Sequence, residues 1–429
     1  MIGAGYVGLV SASCFSELGW KVTCIDKDAD KIEQLCRGYV PIYEPHLDEL
    51  LERNLRNGRI EFSTDLGSAV AEADLVFLAV GTPMRRGDGH ADLSFVYQAV
   101  EDIAPHLKGF TVIATKSTVP VGTSREIERR LKAIKPDADF AICSNPEFLR
   151  EGSAIYDFTH PDRVLVGCDE PRAQELMERL YKPLALHNAP VMFVSRESAE
   201  LAKYSANAFL AMKISFINEI SDLCEAVGAN VQEVATAIGA DGRIGNKFLH
   251  PGPGYGGSCF PKDVAALIRM AREACQPVSL IEQVQTVNSE RKIAMAGRIE
   301  RIVGGSLSGK TIAVLGVSFK PDTDDVRDAP SLILIPMLQE RGAIVRAYDP
   351  HAQENAEPLV PGTEWCGSAF EAADQADVTV VVTEWNEFRA LDLKKLKAKM
   401  RGDMLVDLRN VYLPAQAKAA GFTYTSIGR

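Results

Sequence analysis

The sequence predicts an α/β fold in which two doubly wound parallel sheets are joined by a long central helix and a surrounding helical region. Short apolar runs alternate with helical stretches in the first part of the chain and again after Gly309, and a long stretch without Pro or Gly lies between them. Continuous apolar runs are typical of buried parallel strands, and helices between them indicate βαβ units. A chain of 429 residues is also long enough for two or three domains.

The first segment contains four short runs rich in β-branched residues, each followed by Gly, Pro, Asp or Asn. We predict buried parallel strands at Lys21–Asp26, Leu75–Val80, Thr111–Lys116 and Phe140–Ser144. The intervening stretches have helical patterns, so this segment is expected to form a doubly wound sheet. We place its end at residue 196.

The central segment, residues 197–297, begins with a long helical pattern. Glu200–Val227 contains neither Pro nor Gly, and Gly228 lies just past its end, as expected for a helix terminus. An apolar helix of this length between two α/β domains is typical of a spine and dimer interface, which predicts a homodimer. The alternative is a helix buried within one subunit.

The last segment, residues 298–429, returns to the strand pattern of the first. The runs Lys310–Gly316, Ile344–Asp349, Val378–Thr383 and Met404–Asp407 predict a second Rossmann-like parallel sheet.

Composition and charge exclude several classes of protein. The net charge of -11 argues against a broad attraction to nucleic acid. No apolar run approaches the roughly 20 residues of a membrane span, and the N-terminus does not resemble a signal peptide. Nine cysteines without any CxxC spacing favour a reducing compartment, so we expect a cytoplasmic protein. Neither the cysteines nor the histidines form a metal-binding pattern, and we expect no metal site.

A glycine-rich motif at the N-terminus predicts a dinucleotide site. Gly3-Ala4-Gly5-Tyr6-Val7-Gly8 opens a helical stretch, and a strand ending in Asp26 follows about 20 residues later. The glycines permit a tight turn and close approach to a pyrophosphate, whose charge suits the helix start. Asp26 can accept hydrogen bonds from a ribose diol and would repel a 2′-phosphate, so NAD is favoured over NADP, although Lys27 and Lys31 weaken that preference. Because only two residues precede Gly3, either the first strand is cut short or native residues are missing there, and we favour the second alternative.

Two further strand ends carry threonines. Thr82 follows the second predicted strand and Thr118 follows the third. Ligands of such sheets lie outside the carboxyl ends of the strands, so these threonines are expected to face the nicotinamide half of the cofactor. Threonines in loops are also common turn formers.

The most informative stretch is the glycine-rich run from Pro251 to Asp263. The helical pattern of Val264–Glu273 follows it, and Pro261 suits a first helical turn. Cys259 would then lie at the helix N-terminus, where the partial positive charge and Lys262 favour a reactive thiolate. A thiolate beside NAD indicates oxidation past the aldehyde, through a thiohemiacetal and a thioester.

With these motifs the sequence resembles the UDP-glucose/GDP-mannose dehydrogenase family. The resemblance covers most of the chain in order and rests on the following motifs: GAGYVGLV (3–10), PIYEP (41–45), GTP (81–83), KSTVPVGT (116–123), NPEFLREG (145–152), DFTHPDRVLVG (157–167), AKYSANAFLAMKISFINE (202–219), GADGRIG (239–245), PGPGYGGSCFPKD (251–263) and GVSFKPDTDDVRDAPS (316–331).

The resemblance implies an NAD domain, a central dimerisation region and a C-terminal nucleotide-sugar domain. It implies oxidation of a sugar C6 alcohol to a carboxylate with two NAD and one water. NPEFLREG followed by DFTHPDRVLVG favours UDP-glucose as the substrate. The alternatives are a member of the same family that acts on GDP-mannose or a UDP-N-acetylhexosamine, and a non-catalytic nucleotide-sugar-binding protein.

The resemblance also implies catalytic roles. Cys259 matches the nucleophile, Lys203 matches the lysine that stabilises the oxygen at C6, and Asn207, one helical turn away, matches its oxyanion partner. Asp263 and Thr118 are expected to belong to the water and proton-relay network. Glu147 is expected to be the base that helps hydrolyse the thioester.

Binding roles follow in the same way. Arg243 resembles an arginine that reaches a neighbouring subunit's substrate, and Lys320 resembles a contact to the nucleotide sugar. Arg409 matches the substrate-binding arginine, although Leu408 stands where the family commonly has Gly. A second departure is His250, which stands where relatives carry a basic residue. The expected cofactor contacts are Gly3, Gly5, Tyr6, Val7, Gly8, Asp26, Lys31, Thr82, Thr118, Glu151, Lys262 and Arg327. The expected substrate contacts are Glu147, Phe148, Leu149, Lys203, Asn207, Arg243, His250, Tyr255, Gly256, Lys320 and Arg409.

Overall fold

The structure is a computed structural model that describes residues 1–85, 90–187 and 189–429. The chain divides into two compact units, Met1–Ala206 and Asn207–Arg429. We call them the N-terminal unit and the C-terminal unit and describe each by itself. One long helix, α9, begins in the first and ends in the second.

The elements of the N-terminal unit alternate between strand and helix. In chain order they are α1 (Tyr6–Glu17), β1 (Val22–Ile25), α2 (Ala29–Cys36), α3 (Leu47–Arg56), β2 (Ile60–Ser63), α4 (Leu66–Ala71), β3 (Leu75–Leu78), α5 (Ser94–Ile103), a 3-10 helix (Ala104–His106), β4 (Thr111–Thr115), α6 (Thr123–Ile134), β5 (Phe140–Ser144), α7 (Ala154–Thr159), β6 (Val164–Cys168), α8 (Pro171–Tyr181), a 3-10 helix (Lys182–His187), β7 (Val191–Val194) and α9 (Arg196–Val227).

The sheet of this unit has the strand order of a dinucleotide-binding fold. β1 pairs with β2, and β3 to β7 form a second run in sequence order. Ile2 bridges in parallel to Ile25 of β1 and to Leu78 of β3, and thus takes the first-strand position between the two runs. The resulting order from β2 to β5 is 3-2-1-4-5-6, counting Ile2 as the first strand. β6 then pairs antiparallel with β5, and β7 pairs parallel with β6.

The sheet is buried on both faces because helices cover it on both sides. All five residues of β4 are buried, as are four of the five residues of β5. One face packs a cluster around Phe15, Phe77 and Phe158, and the other packs a cluster around Ile113 and Ile127. This burial explains why these strands appear in the sequence as unbroken apolar runs.

The C-terminal unit begins with helices and continues with a second sheet. Its elements are the remainder of α9, α10 (Val231–Gly239), α11 (Phe260–Glu273), α12 (Ser279–Ile302), β8 (Thr311–Leu315), α13 (Ser331–Glu340), β9 (Ile344–Tyr348), α14 (Gln353–Ala356), a 3-10 helix (Glu357–Leu359), β10 (Glu364–Trp365), α15 (Ala369–Ala372), β11 (Val378–Val381), α16 (Asn386–Arg389), α17 (Leu393–Lys399), β12 (Met404–Asp407), α18 (Pro414–Ala419) and β13 (Thr423–Ser426).

The second sheet repeats the topology of the first. Its order is β10-β9-β8-β11-β12-β13, with parallel pairing throughout, which is again the 3-2-1-4-5-6 order. β8 and β11 are central and almost entirely buried. The predicted α/β class with parallel sheets and a long central helix is therefore confirmed.

Strand and helix positions agree closely with the sequence patterns. The strands predicted at Phe140–Ser144 and Met404–Asp407 have the bounds of β5 and β12. The central helix starts four residues earlier than predicted, at Arg196, and α11 starts at Phe260 rather than Val264. The pattern missed the edge strands β2, β7, β10 and β13, because these strands are short or only partly buried and their apolar signal is weak. It also missed β6, although all five residues of that strand are buried.

Three features of the described residues concern membranes, metals and cysteines. No helix in the described ranges is long and apolar enough to cross a membrane. The same residues contain no group of three or more His, Cys, Asp or Glu side chains arranged to hold a metal ion. All nine cysteines fall within those ranges and carry free thiols.

Candidate active site

The glycine-rich loop has the geometry that a dinucleotide requires. A Cβ on Gly3 would lie 2.6 Å from the carbonyl oxygen of Ala79, and a Cβ on Gly8 would lie 1.9 Å from that of Gly3, so packing forbids side chains at both positions. A Cβ on Gly5 would meet no atom within 4 Å. Gly5 is also the N-cap of α1, and no side chain caps the helix there. Its exposed N-terminus therefore suits a pyrophosphate.

Asp26 lies beside this loop. Its carboxylate accepts hydrogen bonds from the backbone N–H groups of Ala4 at 2.9 Å and Asp28 at 3.1 Å, and it pairs with the Lys31 ammonium at 3.3 Å. Burial opposes ionisation, but the N–H donors and Lys31 outweigh it and lower the pKa of Asp26. The carboxylate is therefore ionised at neutral pH, as an acceptor for a ribose diol must be.

Tyr6 connects the cofactor loop to a second loop. Its hydroxyl donates to the buried carboxylate of Glu44, which also accepts from the backbone N–H groups of Gly152 at 2.6 Å and Ala154 at 2.7 Å. Burial and the Glu44 carboxylate raise the pKa of Tyr6, so the hydroxyl remains a donor. Glu44 thereby fixes the loop that carries Glu151 relative to α1, a role that the sequence analysis did not assign.

The threonines that follow the two strand ends are joined by a hydrogen bond. The hydroxyl of Thr82 donates to the carbonyl oxygen of Thr118 at 3.1 Å. The loop after Thr118 is fixed to α9, because buried Glu200 accepts from the backbone N–H groups of Gly122 at 2.7 Å and Ser124 at 2.8 Å. Burial raises the pKa of Glu200, and these donors oppose the increase.

Glu147 and Lys203 form a buried ion pair. The ammonium of Lys203 lies 3.2 Å from the Glu147 carboxylate, and the two side chains are only 4% and 6% exposed. The Phe148 ring lies 5.1 Å from that ammonium and 3.7 Å from the Arg163 guanidinium. An isolated buried charge would be costly, so this pairing explains how α9 can carry a lysine inside the unit.

A second lysine lies in the same region. Lys116 is buried, and its ammonium donates to Asn145 Oδ1 at 3.3 Å and to the Tyr181 hydroxyl at 3.2 Å. Lys116 belongs to the motif KSTVPVGT (116–123), but its position there predicts no role for it. The side chains around it come from separate elements, so no local pattern could have revealed the contact.

In the C-terminal unit, Cys259 is the N-cap residue of α11, and Pro261 lies in the first turn, as the sequence predicts. The thiol is partly exposed and lies 3.4 Å from the Ser258 hydroxyl. The N–H of Asp263 donates to the Cys259 carbonyl at 2.8 Å, closing the first turn. Cys259 thus stands at the positive end of the helix, which favours a thiolate.

Asp263 is the centre of a small hydrogen-bond network. Its side chain is buried and accepts from the Asn207 amide at 2.6 Å and from the Lys262 ammonium at 2.6 Å. Asn207 belongs to α9 and Asp263 to α11, so the network orients the amide of Asn207 from a neighbouring helix. Asp263 follows Cys259 by four residues, so this network links Asn207 to the first turn of α11.

The glycine-rich loop before Cys259 packs tightly within this unit. A Cβ on Gly256 would lie 2.3 Å from the carbonyl oxygen of Asp328, and a Cβ on Gly252 would lie 3.0 Å from an Arg409 nitrogen. The N–H of Gly257 donates to the Arg327 carbonyl at 2.7 Å. The structure therefore brings the cysteine loop, the segment around Asp328 and Arg409 together.

The guanidinium of Arg409 has several protein partners. It donates to the carbonyl oxygens of Val382 at 2.8 Å and Phe319 at 3.0 Å, and it pairs with Glu384 at 3.2 Å. Tyr255 is buried, and its backbone exchanges hydrogen bonds with the Asn288 amide.

Other predicted contacts are more exposed. Arg243 is exposed and pairs with Asp241, and the mostly exposed guanidinium of Arg327 pairs with Asp325. His250 is exposed in the loop before Pro251, and Lys320 is partly buried, with its ammonium 5.4 Å from the Phe319 ring.

Comparison with known proteins identifies the family. Residues 1–185, 197–290 and 313–414 match three models of the UDP-glucose/GDP-mannose dehydrogenase family, described as its NAD-binding, central and UDP-binding domains. The first of these matches confirms NAD as the predicted cofactor.

Individual relatives agree. The chain is 56% identical over 431 residues to UDP-glucose 6-dehydrogenase of Rhizobium meliloti strain 1021, covering 100% of this chain and 99% of the relative. It is 46% identical over 431 residues to UDP-glucose 6-dehydrogenase TuaD of Bacillus subtilis strain 168, covering 100% of this chain and 92% of the relative.

A solved structure has the same fold along the whole chain. A UDP-glucose dehydrogenase from Pyrobaculum islandicum matches with a TM-score of 0.90 at 37% identity, covering 99% of this chain and 95% of that one. The family models match in chain order and together span most of the sequence. This chain therefore belongs to the UDP-glucose/GDP-mannose dehydrogenase family.

Proposed function

We propose that this protein oxidises the C6 alcohol of UDP-glucose to the carboxylate of UDP-glucuronate, with two NAD and one water. The observation that carries the proposal is Cys259 at the N-terminus of α11, in the same helical turn as buried Asp263. An alcohol oxidation that stops at the aldehyde needs no thiol, whereas a second oxidation through a thioester does. The names of the relatives support UDP-glucose as the sugar nucleotide.

The N-terminal unit supplies the cofactor site in this proposal. The open helix start at Gly5 binds the pyrophosphate, and ionised Asp26 accepts from the ribose diol. When bound there, NAD would supply the hydride acceptor for both oxidation steps. Thr82 and Thr118 lie at the strand ends where the nicotinamide half of such a ligand is expected.

Side chains of the protein then transfer protons, stabilise negative charge on oxygen and form the covalent bond to the substrate. Lys203 and Asn207 stabilise negative charge on the C6 oxygen, since an ammonium and an amide N–H are both donors to an oxyanion. The Cys259 thiolate adds to the aldehyde carbon and forms a thiohemiacetal. Loss of a hydride from that adduct leaves a thioester, and water releases the carboxylate and returns the thiol.

Glu147 and Asp263 are the proposed proton-handling carboxylates. Glu147 accepts a proton from the water that attacks the thioester, and the ammonium of Lys203 holds its carboxylate in place at 3.2 Å. Asp263 orients the Asn207 amide through a 2.6 Å hydrogen bond. Lys262 holds the other oxygen of Asp263 in place at 2.6 Å.

We further propose three domains, an NAD domain at 1–196, a central region at 197–297 and a nucleotide-sugar domain at 298–429. The three family matches fall inside these bounds. We also propose a cytoplasmic homodimer that pairs through α9. Phe209, Phe216 and Leu223 are exposed at seven-residue spacing along that helix, and a stripe of this kind suits a second helix.

Substrate competition tests the choice of sugar nucleotide. We expect kcat/KM with NAD to be highest for UDP-glucose among UDP-glucose, GDP-mannose and the UDP-N-acetylhexosamines. A higher value for one of the other sugars would assign the chain to a sibling activity. Binding of UDP-glucose without any reduction of NAD would show a non-catalytic binding protein instead.

The nucleophile has a separate test. Cys259→Ser removes the thiolate, so we expect carboxylate formation to fall by about 10³-fold or more, because the thioester route is lost. Intact-mass and product analysis would find a covalent adduct or an aldehyde-level product. The matched control is Cys275→Ser, which removes an exposed thiol just past the end of α11 and should leave turnover unchanged. Full oxidation to the carboxylate by Cys259→Ser would contradict the assignment.

A further inference from the structure

We propose that one buried face of α12 positions the glycine-rich loop that carries the nucleophile, and that Asn288 is the central positioning residue of this face. Its polar members are Asn288, Arg291 and Lys292, and we call them the α12 polar face. The inference rests on the proposed function, in which the loop from Gly252 to Cys259 contacts the nucleotide sugar and presents the thiol.

The buried residues of α12 form a single stripe that changes character along the helix. Their spacing of three and four residues places them on one side of the helix. The later members pack into the hydrophobic core of the second sheet, whereas three adjacent earlier members are polar. A buried polar group is costly unless it has partners, so these three side chains need partners other than that core. The stripe consists of Val284, Asn288, Arg291, Lys292, Met295, Ala296 and Ile299.

Asn288 finds its partners in the backbone of Tyr255. Its Oδ1 accepts from the Tyr255 N–H at 2.8 Å, and its Nδ2 donates to the Tyr255 carbonyl oxygen at 3.1 Å. The amide thus pairs with both backbone groups of one residue, as the backbone of a neighbouring strand would. The adjacent Gly254 has a φ of +116°, and a Cβ there would lie 3.0 Å from Asn288 Oδ1. The loop therefore lies directly on α12 at this point.

Arg291 fixes the start of the loop. Its Nε donates to the carbonyl oxygen of Gly252 at 3.0 Å, and the N–H of Gly252 donates to Asn218 Oδ1 at 2.8 Å. The same guanidinium pairs with Asp222 at 2.6 Å and donates to the Asn218 carbonyl oxygen at 3.2 Å. Side chains from α9 and α12 therefore hold both backbone groups of Gly252.

Lys292 fixes the segment against which the loop packs. Its ammonium donates to the carbonyl oxygen of Asp328 at 2.7 Å. Asp328 has a φ of 50°, a sparsely populated conformation for a residue with a side chain, and this contact helps to hold it. A Cβ on Gly256 would meet the same carbonyl oxygen at 2.3 Å. Lys292 thus holds in place the backbone oxygen that leaves room only for glycine at residue 256.

These contacts have a functional consequence because the loop itself has much conformational freedom. Four of the eight residues from Gly252 to Cys259 are glycines, and glycine loses the most backbone freedom when a loop is ordered. A loop that the protein orders before the ligand arrives lowers the entropic cost of binding. It also keeps the Cys259 thiol in the geometry for attack on the aldehyde. We therefore expect the α12 polar face to contribute to substrate affinity and to kcat as well as to stability.

The experiment measures the binding of UDP-glucose and of NAD separately by calorimetry, together with kcat, in Asn288→Ala and Asn288→Asp. Alanine removes both hydrogen bonds to Tyr255. Aspartate keeps the side-chain volume but lacks the donor to the Tyr255 carbonyl oxygen. We expect both variants to raise the Kd for UDP-glucose about tenfold and to lower kcat by a similar factor. The Kd for NAD should remain that of the parent, because the NAD-binding family model matches residues 1–185.

Three further variants separate positioning from a general loosening of the helix. Arg291→Lys keeps a cation but loses the Nε donor to the loop, so it should weaken UDP-glucose binding in the same selective way. Met295→Ala removes packing from the apolar part of the same stripe, so it should lower the melting temperature without changing either Kd. Ser289→Ala, at an exposed neighbour of Asn288, should match the parent throughout.

Two results would overturn the inference. Parent values of kcat and of the Kd for UDP-glucose in Asn288→Asp would show that the shape of the side chain matters and its hydrogen bonds do not. An equal loss of UDP-glucose affinity in Met295→Ala would show that general loosening of α12 explains the effect.

Hydrogen exchange separates a failure of this inference from a failure of the proposed function. In the full chain without ligands, Asn288→Ala should accelerate amide exchange in the peptide that contains Tyr255, because the Tyr255 N–H loses its acceptor. Ser289→Ala should not. Unchanged exchange in Asn288→Ala would contradict the positioning role. A parent that neither binds nor oxidises UDP-glucose, but whose loop depends on Asn288 in this way, would contradict only the proposed function.

Discussion

At the scale of single residues, burying the lysines Lys116 and Lys203 in the N-terminal unit is energetically costly. Lys203 has a carboxylate partner, whereas the ammonium of Lys116 donates to two neutral oxygens and faces aromatic rings. Burial reduces the pKa of Lys116 from its ordinary 10.5 to about 8. A charged group kept in the interior at such a cost indicates a functional reason for its presence.

The first prediction concerns the stability cost of Lys116. Between pH 8 and 10.5 the folded chain binds fewer protons at this residue than the unfolded chain, so its contribution to stability rises with pH across that window. Below pH 8 the cost is fully present and is on the order of 3 kcal/mol. We therefore expect Lys116→Met to unfold at higher denaturant than the parent at pH 7, with a gain that shrinks towards pH 10.

The control and the contrary result are both simple to obtain. Lys21→Met replaces an exposed lysine and should leave the denaturant midpoint within about 0.5 kcal/mol of the parent. If Lys116→Met were destabilised equally at pH 7 and pH 10, loss of its hydrogen bonds would outweigh the charge, and the proposed burial cost would be wrong.

The sequence indicated some of the candidate site residues and missed others. Cys259 could be predicted because its signal is local, in a Gly-rich run, a first-turn proline and a helical pattern. Asp26 could be predicted from its spacing to the glycine loop. Lys116 could not, since its partners Asn145 and Tyr181 come from distant parts of the chain. Glu44 was missed for the same reason.

At the scale of elements, close backbone approach decides where glycine is required. The loop before α11 packs against the segment that contains Asp328, and Gly256 lies at the tightest point, where a Cβ would be 2.3 Å from a carbonyl oxygen. Gly297 lies inside α12, where a Cβ would meet only an Arg301 nitrogen at 3.7 Å. The two positions therefore predict opposite effects of the same substitution.

The second prediction is a matched pair of alanine substitutions. Gly256→Ala must displace the backbone at Asp328 and with it the support of Cys259, so we expect a loss of about 2 kcal/mol or more in stability and a large loss in kcat. Gly297→Ala should gain about 0.5–1 kcal/mol, because glycine is unfavourable inside a helix. Thermal unfolding and NAD reduction would measure both. Similar behaviour of the two variants would show that the loop can relax freely.

Element positions were predictable for most of the strands that are buried on both faces, although β6, with all five residues buried, was missed. The central strands β4, β5, β8 and β11 produced unbroken apolar runs and were found within a few residues. β6 pairs antiparallel with β5, a reversal that the apolar pattern does not encode. Whether two strands pair parallel or antiparallel depends on the connection between them, and the apolar pattern of each strand carries no information about that connection.

At the scale of the whole molecule, the strand order 3-2-1-4-5-6 occurs in both units. The repeated alternation of runs in the sequence predicted two sheets of one type, and the family matches assign NAD to the first and UDP to the second. The sequence could not decide between a buried central helix and a dimer interface. The exposed stripe on α9, formed by Phe209, Phe216 and Leu223, favours a dimer interface.

The third prediction tests the proposed homodimer. Phe216 is 48% exposed on α9, and a charge there would have to be buried in a helix pair. We expect Phe216→Glu to be monomeric by light scattering at concentrations where the parent is a dimer. Leu359→Glu, at a side chain 54% exposed elsewhere in the C-terminal unit, should keep the parent's mass. A parent that is monomeric at all concentrations would contradict the proposal.

The central claim is a four-electron oxidation that passes through Cys259. Its most direct test is the number of NAD molecules reduced for each UDP-glucose consumed, with the product followed to completion. The account predicts two NADH per sugar and a carboxylate at C6. One NADH per sugar with an aldehyde product would contradict it, because the thiol would then have no second oxidation to perform.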